Sequence, residues 1–510
     1  MGSSDPVQSG VSSDGFARLF GFLFAILTIG AAAYGMLAGA QPATATDVAQ
    51  NVHLGVASCA GSTCHGRQVA DGAVVRQDEL LRWQEDSSTS GAHSRAFRTL
   101  GTARSAAIAR NLGLASAETA PMCLGCHSDN ASATGPKHRL SDGVGCESCH
   151  GAASGWISSH YAVGASPRRN VDQGMIPLSD PKSRASNCLD CHFGSAKPGQ
   201  FVSHRIMAAG HPRVTFELDL FTGLQAHHNE DADYVRRKGK RDPVQDWAVG
   251  QAVALDRALS LWSDAGLGQE GIFPEYYFFD CHSCHRRISD DPSFRAAAVA
   301  NPGRPIPRGM APFSDGNMIM LSAAARRTSP ALAQRFDADS KAFHAALASD
   351  RPKALKAAAR LRSSTNALLA AFGGKRFSSG DIKALVATIS DSAMRPRYTD
   401  YDGSAQAVMA VDTLLNALVN NGSVSAGQAA SIRAEINRAY AAVKDPYGYQ
   451  PAAFRAALWF DDSSMLRPAP LACAKAASSP EAIIVARMLA ISSGLNESIA
   501  PLPARMIFSV

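Results

Sequence analysis

Met122–Gly151 reads MCLGCHSDNASATGPKHRLSDGVGCESCHG and carries Cys-x-x-Cys-His twice, ending at His127 and at His150. Two chemistries use paired thiols at this spacing. One is half of a tetrahedral zinc site, which a second pair can close into a four-sulfur box. The other is covalent attachment of a c-type haem, in which both sulfurs bond the porphyrin and the adjoining imidazole takes the iron. The thiol spacing serves both equally. The histidine directly after each pair separates them, because a zinc box has no use for an imidazole beside every second sulfur.

The rest of the chain repeats the pattern. Ten of the eleven cysteines form five pairs, Cys59/Cys64, Cys123/Cys126, Cys146/Cys149, Cys188/Cys191 and Cys281/Cys284. They are followed at once by His65, His127, His150, His192 and His285. The first, CAGSTCH, has four intervening residues where the others have two, a longer loop that thioether attachment still tolerates sterically. The sequence therefore predicts five covalently bound c-type haems, with these five histidines as proximal iron ligands. Cys473 is left over and reads as a small buried hydrophobe.

The motif histidines are separated by 62, 23, 42 and 93 residues. Twenty-three residues are too few to build two independent pockets, so the second and third haems are expected to share walls. Close-packed porphyrins would also replace much of a conventional core in a region poor in long periodic segments.

Three regions follow: an N-terminal segment and linker over 1–48, a pentahaem domain over 49–300, and an all-α domain of unknown role over 301–510. Alanine-rich helical periodicity marks the third, and the Pro/Gly stretch Asn301–Asn317 is the expected boundary. The fold class expected is mainly α, a multihaem cytochrome c fold with little regular sheet, preceded by a transmembrane helix. From Leu19 to Thr46 there is no charged residue, and Leu19–Ala40 is longer than a usual signal-peptide core. An uncleaved anchor is favoured, although AGA ending at Ala40 and ATA ending at Ala45 keep cleavage open. Haem attachment after export places the body on the periplasmic side of the inner membrane, or free in the periplasm if the segment is removed.

The formal charge of +6 does not imply nucleic acid, because two propionates on each of five haems outweigh it. The run RRKGKR, Arg236–Arg241, reads as a solvated loop, with a docking patch for an acidic redox partner as the lesser reading.

SDGVGCESCHG (Ser141–Gly151), preceded by WQEDSSTSGAHSRAF (Trp83–Phe97) and followed by SSHY (Ser158–Tyr161), resembles the cytochrome c-554 family of multihaem cytochromes, relatives of hydroxylamine oxidoreductase. The resemblance spans about residues 55–195. It implies that His93 and His160 are distal ligands to other haems, and that the haem at Cys123, Cys126 and His127 is the one whose distal side lacks a protein ligand. The fifth motif, FFDCHSCH, the segment FVSHRIMAAGHPRVTFELDLF and the helical extension depart from the family and inherit no activity from it.

Ten histidines remain after the five proximal ones, and five would complete bis-histidine coordination. His93 shares a helical face with Ala96, Phe97 and Leu100, which points its ring inward. His160 lies in a turn-rich segment ten residues past His150. His204 and His211 bracket RIMAAG; Gly210 and Pro212 should stop a helix there, and Val214, Phe216, Leu218 and Leu220 then alternate like a half-buried strand. His138 is the fifth candidate, and either it or another spare imidazole is expected to close the haem at His127; His53 follows it closely. Of the adjacent His227 and His228 at most one can point inward; His282, inside a motif, and His344, in the extension, are poor candidates.

Full coordination favours electron transfer: a membrane-tethered conduit between a redox-protein donor and acceptor, with no catalytic residues of its own. The alternative is a nitrogen-oxide or hydroxylamine oxidoreductase built on one five-coordinate haem. A third reading makes the extension a docking module, but its helices carry no chemical motif.

Overall fold

The computed structural model describes Gly2 and residues 51–68, 77–281, 284–285, 301, 303–307, 310–391, 394–444 and 449–458. The Leu19–Ala40 segment, His282 and Cys473 lie outside the described residues. Among the described residues no helix is long and apolar enough to cross a membrane. The chain divides into Met1–Asn51 and Val52–Val510, and the second unit is described here.

It is mainly helical, with one two-stranded antiparallel ribbon pairing Gln269–Glu270 with Phe273–Pro274 among the described residues. The first part is built from short helices. Three of them, Pro121–His127, Cys146–His150 and Pro181–His192, carry cysteine pairs and end on the motif histidine. Pro121 and Pro181 open two of these, where a missing N–H costs no hydrogen bond, and Asp180 caps the latter by accepting from the Ser183 N–H. Gly125, within the second motif, lets another segment come close: a Cβ there would lie 2.4 Å from the Gly199 carbonyl oxygen. Apolar packing here is sparse, and one small cluster joins Leu100, Ala109, Ala117 and Leu124.

The large core begins at Ala185 and runs to Leu458. At its centre lies Pro243–Ser263, a helix with 16 of its 21 residues buried, Trp247, Leu255 and Leu259 among them. A helix apolar on nearly all sides has to be enclosed. This one packs on the motif helix Pro181–His192 and on three helices of the extension, Gly316–Arg326, Arg351–Gly374 and Tyr401–Asn420. The core is thus continuous across residue 300. The Pro/Gly stretch expected to separate domains is itself pinned: Arg304 is buried and bonds both Asp315 and Asp400.

One local expectation is corrected. The residues from Leu218 onward form the helix Leu218–Leu224, not a strand. Alternation suggested extended chain, but the Glu217 side chain accepts from the Asp219 and Leu220 N–H groups and starts a helix after Phe216. RRKGKR is not one solvated loop either. Arg236 and Arg237 pair with Asp233 on the surface, whereas Arg241 reaches Asp246 at 2.8 Å in the interior.

His344 is fully buried in the extension, with Nδ1 2.9 Å from the Ser340 carbonyl oxygen. Burial pushes its pKa down to about 4, with Asp315 opposing and Arg304 and Arg397 assisting. A depressed folded pKa means the neutral ring contributes stability above the unfolded value of about 6.5, and that contribution is lost as pH falls toward about 4. The effect is at most about 3 kcal/mol. Urea midpoints followed from about pH 7 to about pH 4 are expected to fall more steeply in the wild type than in His344→Phe.

Candidate functional site

Each of the five motif imidazoles faces a second imidazole from a distant segment. His65 faces His160 with ring centroids 6.0 Å apart and planes 17° from parallel. His192 faces His93 at 6.1 Å, His127 faces His211 at 6.3 Å and His285 faces His204 at 6.2 Å. His150 faces two rings, His228 at 6.0 Å and His227 at 6.4 Å.

A separation near 6 Å thus recurs at all five motifs, wider than the 4.3 Å between the adjacent His227 and His228 rings. It is the spacing that a six-coordinate metal imposes: two metal–nitrogen bonds of about 2.0 Å and two nitrogen-to-centroid distances of about 1.1 Å sum to about 6.2 Å. The ring nitrogens are poised accordingly. Nδ1 of His127 lies 3.1 Å from the Ala96 carbonyl oxygen, that of His211 2.8 Å from Pro212 O, that of His227 3.1 Å from Gln225 O and that of His65 3.0 Å from Glu79 Oε2. An acceptor on Nδ1 fixes the tautomer and leaves Nε2 as the free lone pair. Burial and neighbouring imidazoles push the pKa of His150 and His192 down to about 3, and that of His211 to about 4, so these rings are neutral near pH 7, the form that metal ligation requires.

The cysteines do not converge as a zinc box would require. Among the described residues the groups of three or more donors close enough for a shared ion are His150, His227 and His228, and His53, Asp129 and Glu147; neither contains a sulfur. The thiols instead meet pairwise between motifs. Cys59 sits against Cys146 and Cys191 against Cys126, while Cys149 lies within electrostatic range of Cys188 and Cys191. The buried Tyr277 ring lies within electrostatic range of both Cys126 and Cys281, and Arg213 donates to Cys281 Sγ at 3.3 Å. In space the motifs therefore run first, third, fourth, second, fifth. The third motif adjoins the first and fourth through its thiols, and it also meets the segment after the second: Asp129 N–H donates to the Gly143 carbonyl oxygen at 2.8 Å, and the Asp129 carboxylate lies within 4.8 Å of that of Glu147.

Of the expected distal histidines, His93, His160, His204 and His211 each face a motif ring, and His204 and His211 serve different ones. His138 does not. Its Nε2 lies 2.8 Å from the Asp129 carbonyl oxygen, and Asp129 also holds His53 Nδ1 at 2.9 Å. The ring opposite His127 is that of His211. Three residues were not singled out from sequence. His228 was one of an ambiguous pair, and only the fold resolves which ring comes nearer. Glu79 joins His65 to His228, whose Nδ1 is 3.4 Å from Glu79 Oε1. Glu147, inside the third motif, is buried and accepts from the Leu54, Gly55 and Ala153 N–H groups at 2.7–2.8 Å. No spacing signals these two carboxylates, since their partners are remote in the chain.

Residues 58–151 match the family described as cytochrome c554 and c-prime, a span covering the first three motifs. The resemblance seen in the sequence is thereby supported independently: over this span the chain is similar to that family, which supports a c-type cytochrome with covalently bound haem and a role in electron transfer. No curated relative and no solved structure matches the chain.

Proposed function

We propose that the chain is a pentahaem electron relay in which all five irons are closed by two imidazoles. The residues holding the haems are the five cysteine pairs, with His65, His127, His150, His192 and His285 on one side and His160, His211, His228, His93 and His204 on the other. The observation that carries this reading is the recurrence of a 6.0–6.3 Å imidazole pair at every motif. When bound, haem supplies one-electron chemistry between ferric and ferrous iron. The protein's part is to space the sites and exclude ligands other than its own. The spatial order of the motifs makes the Cys59/Cys64 and Cys281/Cys284 sites the two ends of the relay, and Cys64 and Cys284 are both exposed. Donor and acceptor proteins meet the chain at those ends. Leu19–Ala40 tethers the relay on the periplasmic side of the inner membrane.

The oxidoreductase alternative needs one open iron, and the site where the family resemblance places it is the one His211 faces. Intact mass of the denatured protein is expected to retain five haems. The oxidised protein should be wholly low-spin by electron paramagnetic resonance, and the reduced protein should not bind carbon monoxide. A high-spin fraction near one haem in five in the untreated protein would transfer the assignment to small-molecule chemistry.

A further inference from the structure

The structure assigns Glu79 as a positioning residue shared by two haem sites: it orients His65 in the first, selects His228 over His227 as the partner of His150 in the third, and sets both reduction potentials together. The inference rests on the pentahaem reading above.

The two carboxylate oxygens of Glu79 face different rings, Oε2 lying 3.0 Å from His65 Nδ1 and Oε1 3.4 Å from His228 Nδ1. The side chain is 15% exposed, so water competes weakly for it. Both sides of the bridge are anchored by neighbours. Leu80 N–H donates to the His65 carbonyl at 3.0 Å, which ties the start of the helix Glu79–Trp83 to the first motif. Asn229, adjacent to His228, donates from Nδ2 to Asp78 Oδ1 at 2.7 Å. Trp83, at the other end of that helix, donates to the Val144 carbonyl oxygen at 3.2 Å, just before the third motif. Glu79 is thus held between the two sites from three directions.

This arrangement separates the two neighbouring histidines. His227 rests its Nδ1 on the carbonyl of Gln225, two residues earlier, and its ring is 6.4 Å from His150. His228 is closer, at 6.0 Å, and its Nδ1 meets a carboxylate from another segment. A carboxylate accepting from Nδ1–H orients the ring and makes Nε2 a stronger donor than a peptide carbonyl does. Stronger donation and a nearby negative charge both favour ferric over ferrous iron. Because one carboxylate acts on two sites, both potentials are lowered together. The first and third sites adjoin through Cys59 and Cys146, so a common offset keeps electron passage between them from becoming steeply uphill.

The test is a redox titration of the full-length holoprotein monitored by electron paramagnetic resonance, with Glu79→Gln against wild type. Two of the five midpoints are expected to rise by about a tenfold change in the ferric-to-ferrous ratio, or about 59 mV for one electron, with three unmoved. Glu79→Asp should give a smaller rise in the same two, and it serves if Glu79→Gln does not accumulate. His228→Ala should convert one low-spin haem to high-spin, and His227→Ala none. Unmoved midpoints, a uniform shift of all five, or a high-spin haem from His227→Ala alone would overturn the assignment while leaving five low-spin haems in the wild type. A wild type without five low-spin haems would overturn the pentahaem reading and this inference with it.

Discussion

His211→Ala is expected to convert the haem at Cys123, Cys126 and His127 from low-spin to high-spin, raising the high-spin fraction from none to about one haem in five. The reduced variant should then bind carbon monoxide at that one site. The expectation follows from the 6.3 Å separation of the His127 and His211 rings and from the Pro212 carbonyl that fixes His211 Nδ1. Removing the ring leaves a methyl group, and among the described residues no other imidazole is in ring contact with His127. The companion variant His138→Ala should leave the spectrum unchanged, because His138 Nε2 is engaged by the Asp129 carbonyl at 2.8 Å. The reverse outcome, high-spin on losing His138 and low-spin without His211, would show that a rearrangement brings His138 to the iron. A high-spin site in His211→Ala would also turn the relay into a protein with one reactive iron, the feature that distinguishes carriers from enzymes in this chemistry.

Glu147→Ala is expected to be the most destabilising single change near the haem sites. Glu147 is 3% exposed and accepts from three N–H groups, Leu54 at 2.8 Å, Gly55 at 2.7 Å and Ala153 at 2.7 Å. Leu54 and Gly55 precede the first motif, whereas Ala153 follows the third, so one side chain clamps the two together. Alanine leaves three buried donors without a partner, at about 1–3 kcal/mol each. The sum is about 3–9 kcal/mol if the chain cannot relax and less if water enters. Glu147→Gln keeps one carbonyl oxygen but turns an amide toward donors, and should cost about half as much. Denaturant midpoints at unchanged slope measure both. A loss below about 1 kcal/mol in Glu147→Ala would show that the clamp is not structural.

The helical character of the chain was legible from its alanine-rich periodicity, but its internal division was not. Asn301–Asn317 has the composition of a linker, and composition does not reveal that Arg304 within it ends buried between Asp315 and Asp400. Nor does it reveal that Trp247 and Leu255, on the haem side of that stretch, share one core with Leu361 and Leu414 beyond it. The helix Leu218–Leu224 was misread for a related reason. Its alternation suited a strand, and the decisive feature was the Glu217 side chain folding back on two N–H groups.

Attachment chemistry belongs to the sequence alone. Two thiols and an imidazole lie within five residues of chain in four motifs and within seven in the first, so each Cys–Cys–His cluster is complete wherever the fold carries it. The surplus of histidines, and the inward face that His93 shares with Ala96 and Leu100, were also visible without coordinates. The pairing of rings was decided only in three dimensions. His160 returns to His65, His211 to His127 and His93 to His192 across long stretches of chain, and nothing in local spacing encodes which distant segment closes which site. His138 and His211 are equally good ligands as residues. What separates them is that Asp129 holds one ring aside while Pro212 aims the other, an outcome set by packing between segments remote in the chain.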